Sequence, residues 1–561
     1  ARDFSGQLAS VGQRLHFHLP TDPAAPGPLR GLLERAAVVV SELYPVPPFP
    51  RWTQQHSQAH PNLPWLLVDA SLVLPMPTLA RRPTRAFQFR KANQAEIDRR
   101  VKAGWPEFTE WPESFGGHPG FEPFDLDNAL GPAIASCRID HSIPPVSSTP
   151  GGTGAGYQRW SSFLGSGLDH YHRLRNDATQ TTAVSRMSAY LHYGCVSPLR
   201  VARDALEHGG EGPDKFLDEL LTWRELSHHF CYHTESLETL DALPDWARDT
   251  LLNHEPDPRP ATFDWETLAR GRTNEPLWDL CQQSLLRHGE LHNNLRMTWG
   301  KSFLLWTGRP HRAQKLMIDL NHRYALDGSD PNSYGGLLWC LGQFDRPFPA
   351  GPIFGKVRQR SLSRHAQRLD MGRYAQWVST PQHGRIRSAL VIGAGLSGLT
   401  AARTLQDQGV EVTVVEKARG PGGRMSTRRD GDYRFDHGAQ YFTARDPRFL
   451  RHLLGWQERG LVTRWDARIA AISGDTIKPV GTSLDRYLPV PSMNQVCREL
   501  ADEIDDCRFG WQAEKLQHDG TTWHATSASG ETLSAEALIM TAPPDQARQL
   551  LQDPAVEDTL S

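Results

Sequence analysis

At 561 residues, with 39% hydrophobic and 22% charged residues, the chain has the composition of an ordinary globular protein and the length for two to four domains. A net charge of −3 excludes a globally basic nucleic-acid binder and leaves room only for a local basic patch. No apolar run reaches the roughly 18 residues of a membrane helix and no secretory leader pattern opens the sequence, so neither membrane nor export is expected.

Taken in chain order, residues 36–41 (AAVVVS) and 66–70 (LLVDA) read as buried strands, and 14–18 (RLHFH) as a third. They predict part of a doubly wound α/β domain over residues 1–125. Residues 112–156, rich in Gly, Pro and Ser, read as a long linking loop. From 156 to 378 apolar residues recur at spacings of three and four, with single helices expected over 215–229 and 285–307, so 126–378 reads as an all-α domain. Residues 379–387 (STPQHGRIR) form another linker, and 387–561 a third domain of Rossmann type. The seven cysteines (137, 195, 231, 281, 340, 497 and 507) form no CxxC pair. No metal site or disulfide framework is expected, and a reducing cytoplasm is the expected compartment.

The third domain opens ALVIGAGLSGLTAARTLQDQGVEVTVVE, in which Gly393, Gly395 and Gly398 form G-x-G-x-x-G between a predicted strand (389–392) and helix (399–408). Gly393 permits the tight turn, Gly395 lets the backbone approach a pyrophosphate at the helix N-terminus, and Gly398 lets helix and strand pack closely. Glu416, 23 residues after Gly393, ends the second strand, where a carboxylate can accept from ribose hydroxyls. A second loop, GPGGR, carries Gly423 and Arg424. Together with RMSTRR and DHGAQYFTARDPRF it resembles the renalase-like branch of the FAD-dependent amine-oxidase superfamily. That resemblance implies a second FAD here, in a module incomplete at its C-terminal end, with residues 537–541 returning to the nucleotide-binding sheet.

Five blocks of the middle region fall in one order: SRMSAYLHYGCVSP, KFLDELLTWRELSHHFC, ELHNNLRMTWGKSFLLWT, DLNHRYALDGSDPNSYGGLLW and PIFGKVR. With LLVDASLVLPM near the N-terminus they resemble the class II cyclobutane-pyrimidine-dimer DNA photolyases of the photolyase/cryptochrome family, over residues 5–375. The resemblance implies a helical FAD-binding domain, light-driven repair of UV-damaged DNA, and a partial antenna domain to which no chromophore is assigned. A monomer is expected. Ser185, Ser188, Tyr190, His292, Arg296, Asp327, Asp330 and Asn332 are the implied FAD residues, the Arg296 charge favouring reduced anionic flavin and Asp327 orienting it. Asn321 is implied to face flavin N5.

Trp299 and Trp306 are seven apart, about 10 Å along one helix face. With Trp278 they match the family's electron-transfer tryptophans, expected in the order flavin, Trp306, Trp278, Trp299, surface. Glu219 and Trp223 share a helix face at i and i+4. The resemblance places Glu219 on a thymine carbonyl as a protonated donor, and Trp223 and Trp339 on the flipped-out dimer. Lys356 and Arg358, leading a basic run through Arg360, Arg364 and Arg368, are expected at DNA phosphates. Glu290 and Asn293 depart from the family pattern in a way that bears on flavin tuning. A signalling cryptochrome and an amine-oxidase-type enzyme are the competing readings.

Overall fold

In the computed structural model, which describes residues 1–20, 27–104, 110–114, 116–382, 384–468, 470–479 and 485–551, the chain groups into two units. One comprises Ala1–Thr262 with Glu275–Trp377, the other Phe263–Asn274 with Val378–Ser561. The border expected near residue 125 has no counterpart, since residues on both sides of it belong to the first unit. Nor does 263–274 belong with the helices that flank it in sequence.

Prolines and glycines punctuate the helices of the first unit. Pro276–His288 ends at Gly289, which is left-handed at φ 63°. The next helix, Asn293–Trp306, is capped by the His292 side chain on the Asn294 amide. The single helix expected over 285–307 is therefore two, because a left-handed glycine stops one and a side-chain cap starts the other. Pro310–Tyr324 and Pro331–Cys340 both begin with proline, which lacks the N–H that a first turn leaves unpaired. The helix expected over 215–229 is continuous, running through Glu211–Asp218, Glu219–Arg224 and Glu225–Tyr232, but its middle segment is wound as a π-helix. Such wide turns concentrate at functional sites.

The N-terminal strands differ from expectation. Val39–Glu42 and Trp65–Val68 form a two-stranded parallel sheet. Neither is a buried strand: Val40, Leu66, Leu67 and Val68 are all exposed. Residues 14–18 form no strand, although the Phe124 amide donates to the Phe17 carbonyl at 2.7 Å. The expected linking loop holds a helix, Leu130–Ser136, and the start of another, Thr153–Ser166. What is buried is the turn that follows the second strand, with Leu72, Val73, Leu74 and Met76 in the core. Glu225 receives the Val73 and Leu74 amides at 2.8 and 3.1 Å, and the Arg224 guanidinium donates to the Ser71 carbonyl at 2.6 Å. Burial pushes the Glu225 carboxyl up to about 8.

The second unit is built on a parallel sheet in the order Asp506–Phe509, Glu411–Glu416, Ser388–Ile392, Ala537–Met540. Both faces are covered, as parallel strands require. Ala389, Val391, Val412 and Val414 pack with residues of the helices Leu396–Asp407, Pro447–Glu458 and Gln495–Asp502. Leu390, Ile392 and Val415 pack with Trp511, Ala525 and Ala535 on the other face. The return strand expected at 537–541 lies beside Ser388–Ile392 in parallel register.

Within this unit the short helix Trp265–Arg270 is held by ion pairs. Glu266 accepts from Arg403, from His452 at 3.0 Å and from Arg459 at 3.2 Å, while Arg270 meets Asp407 at 2.6 Å and also Glu503. Burial alone would raise the Glu266 carboxyl, but the His452 hydrogen bond and the Arg403 charge outweigh it and hold the carboxyl down to about 2. Replacing Glu266 by Ala leaves Arg403 buried without this partner, which should cost about 3–5 kcal/mol of the unit's stability. Because the folded value lies below the ordinary 4.5, the stabilisation is complete above that pH and fades as pH falls toward 2. Thermal melts of Glu266→Ala and parent between pH 7 and pH 3 check both statements: the difference should shrink at the acid end.

Candidate functional site

The first unit holds a cavity of about 560 Å³, within the range of ligand pockets. Of the residues expected at a site, Ser185, Ser188, Glu219, Trp223, His292, Arg296, Asp327, Asn332 and Trp339 line it together. They come from sequence positions more than 150 apart, so only the tertiary fold unites them. Arg296 donates to both carboxylate oxygens of Asp327, at 3.3 and 3.0 Å. His292 is pushed down to about 4 by burial, which leaves its ring neutral near pH 7.

Other expected residues stand behind or outside the wall. Asn321 is fully buried; its amide nitrogen donates to Ser333 Oγ at 3.2 Å, and that hydroxyl donates to the Asp327 carbonyl at 2.7 Å. Tyr190 is turned away, donating to the Pro150 carbonyl at 2.9 Å. Asp330 does not line the cavity: it caps Pro331–Cys340 through the Asn332 amide and accepts from Tyr44 at 3.1 Å, with His192 Nδ1 at 3.0 Å. It fastens Tyr44 and His192 from outside the lining.

The basic run is likewise divided. Arg358 pairs with Asp345 at 3.2 Å and lies over the Trp339 ring, whereas Lys356 is exposed. Arg360 does not reach outward, since it donates to the Asn294 carbonyl at 3.0 Å and to its side chain at 2.6 Å.

The tryptophans reverse the expected order. Trp278 stacks on Trp299 at 6.1 Å and meets Trp306 edge-on at 5.3 Å. Arg296 and Met297 line the cavity and no later residue of their helix does. At 1.5 Å per residue Trp299 lies about 4.5 Å along the axis from Arg296, and Trp306 about 15 Å. Outward from the cavity the rings are therefore met in the order Trp299, Trp278, Trp306. Spacing along a helix sets separation but not direction, which is why the sequence left the sense open to error.

Glu219 also differs from expectation. Its carboxylate is engaged by Lys215 at 2.7 Å and Arg175 at 3.1 Å, two ion pairs in place of the lone donor expected. Both cations line the cavity and neither was foreseen. Lys215 stood four residues from Glu219, a spacing that pairs charges on a helix, whereas Arg175 is brought in by the fold. A further unforeseen pair at the wall is Arg186 with Glu290, at 2.6 Å, with Arg159 3.5 Å from the same carboxylate.

The lining fits a flavin dinucleotide on its own chemistry. Around the cavity His292 Nε2, Arg296 Nε and Asn321 Oδ1 are buried with no hydrogen-bond partner among the described residues, and such atoms call for a ligand. Hydroxyl donors at Ser185 and Ser188 suit phosphates.

In the second unit Gly393 is left-handed at φ 112°, and a Cβ on Gly398 would sit 2.0 Å from the Gly393 carbonyl oxygen. A Cβ on Gly395, the cap of Leu396–Asp407, would meet nothing within 4 Å, which leaves an open approach to the helix N-terminus. Glu416 accepts from the Ala394 and Ala418 amides, both at 2.9 Å, and so orders the loop while each oxygen keeps a lone pair for a ribose. Gly423 is left-handed at φ 53° and its loop seats on the first through the Gly422 amide and Ala394 carbonyl at 2.9 Å, with Arg424 exposed beside it. Gly398→Val should unseat this loop and abolish nucleotide binding by the unit, measured by titration of the full chain. Unchanged binding would show that the loop is not the site. Among the described residues there is no cluster of ligands for a metal, and no helix is long and apolar enough to cross a membrane.

Residues 391–454 match the family of NAD(P)-binding Rossmann-like domains. The chain is 40% identical over 246 residues to the deoxyribodipyrimidine photo-lyase of Methanothermobacter thermautotrophicus, a match covering 43% of this chain and 54% of that protein. It is 29% identical over 351 residues to that of Potorous tridactylus, covering 61% and 64%. Over 72 residues it is 50% identical to a neurosporene-forming phytoene desaturase of Rhodobacter capsulatus, 13% of each chain. The chain thus spans somewhat more than half the length of the two photo-lyases it matches.

Proposed function

We propose that this chain, which joins a photolyase-type helical part to a Rossmann-type nucleotide-binding module, splits cyclobutane pyrimidine dimers in UV-damaged DNA under light, with FAD held in the cavity of the first unit. The observation that carries this reading is the meeting, in one cavity, of the Arg296–Asp327 pair and the serine hydroxyls with Trp223, Trp339 and the ion-paired Glu219 carboxylate. Reduced FAD, when bound, supplies an electron on illumination.

Every other part of the task falls to this chain's residues. Ser185, Ser188 and Asn332 hold the polar end of the cofactor, and Arg296, kept in place by Asp327, sets a fixed positive charge beside its ring. Trp223 and Trp339 offer aromatic faces to an extruded dimer, whose poor stacking makes extrusion cheap. Glu219 orients Lys215 and Arg175, whose charges favour the electron-rich dimer over the neutral one. Trp299, Trp278 and Trp306 carry electrons inward to restore the reduced state. Lys356 and Arg358, at the surface, contact DNA phosphates. The glycine loops of the second unit hold a second nucleotide cofactor, an FAD. All seven cysteines are free, which fits a reducing compartment such as the cytoplasm.

Illumination of the reduced full chain with a dimer-containing oligothymidylate should restore thymine absorbance. Glu219→Ala should lower the quantum yield severalfold with FAD content unchanged, since Lys215 and Arg175 lose the acceptor that aligns them. A flavin-loaded parent that restores no absorbance would move the reading to a photoreceptor.

A further inference from the structure

Four indoles stand at or just behind the cavity wall. Trp223, Trp339 and Trp377 line it, and Trp299 is buried two residues beyond the lining Met297. An indole at the wall can serve as an electron donor whether or not that suits the protein, so the environments of Trp339 and Trp299 matter.

Trp339 carries cations on its ring. Lys301 Nζ lies 4.8 Å from the ring centroid and the Arg358 guanidinium 5.6 Å. The Lys301 side chain is fully buried and its ammonium is fixed by donation to the Cys340 carbonyl at 2.9 Å. A cation over a neutral indole is attracted to the π face, but the same cation opposes removal of an electron from that ring. Trp299 has the contrary environment: its indole N–H donates to Gln282 Oε1 at 3.1 Å, and the negative end of that amide dipole favours positive charge on the ring. Two residues apart on a helix, Trp299 and Lys301 point about 200° apart around the axis, so the ammonium projects away from the indole stack.

We propose that Lys301, assisted by Arg358, acts as an electronic gate that keeps Trp339 a neutral stacking surface and bars it from electron donation, leaving Trp299 as the donor. The proposal rests on the functional reading above. In each turnover one electron leaves the Trp299 indole for light-excited oxidised flavin. Trp299 regains an electron from Trp278, and Trp278 from Trp306. Over two turnovers two molecules of an added thiol give up two electrons and two protons and become one disulfide.

The test uses the full chain and follows photoreduction with added thiol. Trp299→Phe should lose most of the rate, and whatever is left measures Trp223 and Trp377 together. Adding Lys301→Met should restore photoreduction severalfold, Lys301→Arg should not, and Trp339→Phe in the Trp299→Phe/Lys301→Met protein should remove the restored part. A second readout needs no flavin: flavin-free Lys301→Met should bind dimer-containing DNA within twofold of parent, because the ring is still presented. A binding loss as large as that of Trp339→Ala would make Lys301 a structural support for the ring and overturn the gate. Trp299→Phe/Lys301→Met with no recovery would overturn it while leaving the functional reading intact. A parent that binds flavin but is never photoreduced would overturn both.

Discussion

Trp299→Phe should slow photoreduction of the bound flavin by an order of magnitude or more, and should do so more severely than Trp306→Phe. Phenylalanine is far harder to oxidise than indole, and removing Trp299 takes away the member of the path next to the lining residues Arg296 and Met297. Trp278 cannot substitute, because it stacks on the far side of Trp299 at 6.1 Å. Trp306 lies at the other end, so its loss leaves the first transfer intact and impairs only the later ones. The Trp278 indole N–H donates to the Trp299 backbone carbonyl at 3.0 Å, a bond the substitution keeps. The smaller ring leaves a void in a fully buried position, so flavin content and melting temperature must be measured beside the rate. Repair by chemically pre-reduced protein should be nearly unchanged, since these indoles do not line the cavity. A larger loss in Trp306→Phe than in Trp299→Phe would restore the opposite order.

Trp339→Ala should weaken binding to dimer-containing DNA by about 1–3 kcal/mol, the value of one base stacked on an aromatic ring. That is roughly fivefold to 150-fold in Kd. Binding to undamaged duplex should change much less, because no base is then extruded to meet the ring. Flavin content should hold, since the Arg296–Asp327 pair and the serine hydroxyls come from other elements. Trp339→Phe is the control for the buried Lys301 ammonium, which in Trp339→Ala loses its aromatic partner. Phenylalanine keeps a ring there and should recover most of the affinity. Equal weakening on damaged and undamaged DNA would take Trp339 out of the lesion pocket.

Sequence patterns differed in how far they reached. The glycine motif was legible because each glycine answers a local requirement: Gly393 a left-handed turn, Gly398 a contact with the backbone of the same loop. Asp330, in an equally recognisable motif, stands outside the cavity lining, which the motif did not announce. Its partners Tyr44 and His192 lie 286 and 138 residues away, and no local pattern announces them. The different tasks of Glu219 and Glu225 are set in the same way. Both sit on one helix, but one accepts from Lys215 and Arg175 at the cavity and the other from the amides of a buried turn.

Composition and pattern by themselves determined the helical domain, the Rossmann-type sheet and the residue types for chemistry. These follow from local periodicity and from glycines whose conformation neighbours impose. Tertiary structure alone decided which end of the tryptophan path faces the cavity, that Glu219 is held by two cations, that residues 263–274 belong to the second unit, and that Lys301 lies over Trp339. Periodicity tells which residues share a face of a helix. What that face meets, and the charge it finds there, depends on segments far away in the chain, whose approach is set by packing of the whole core.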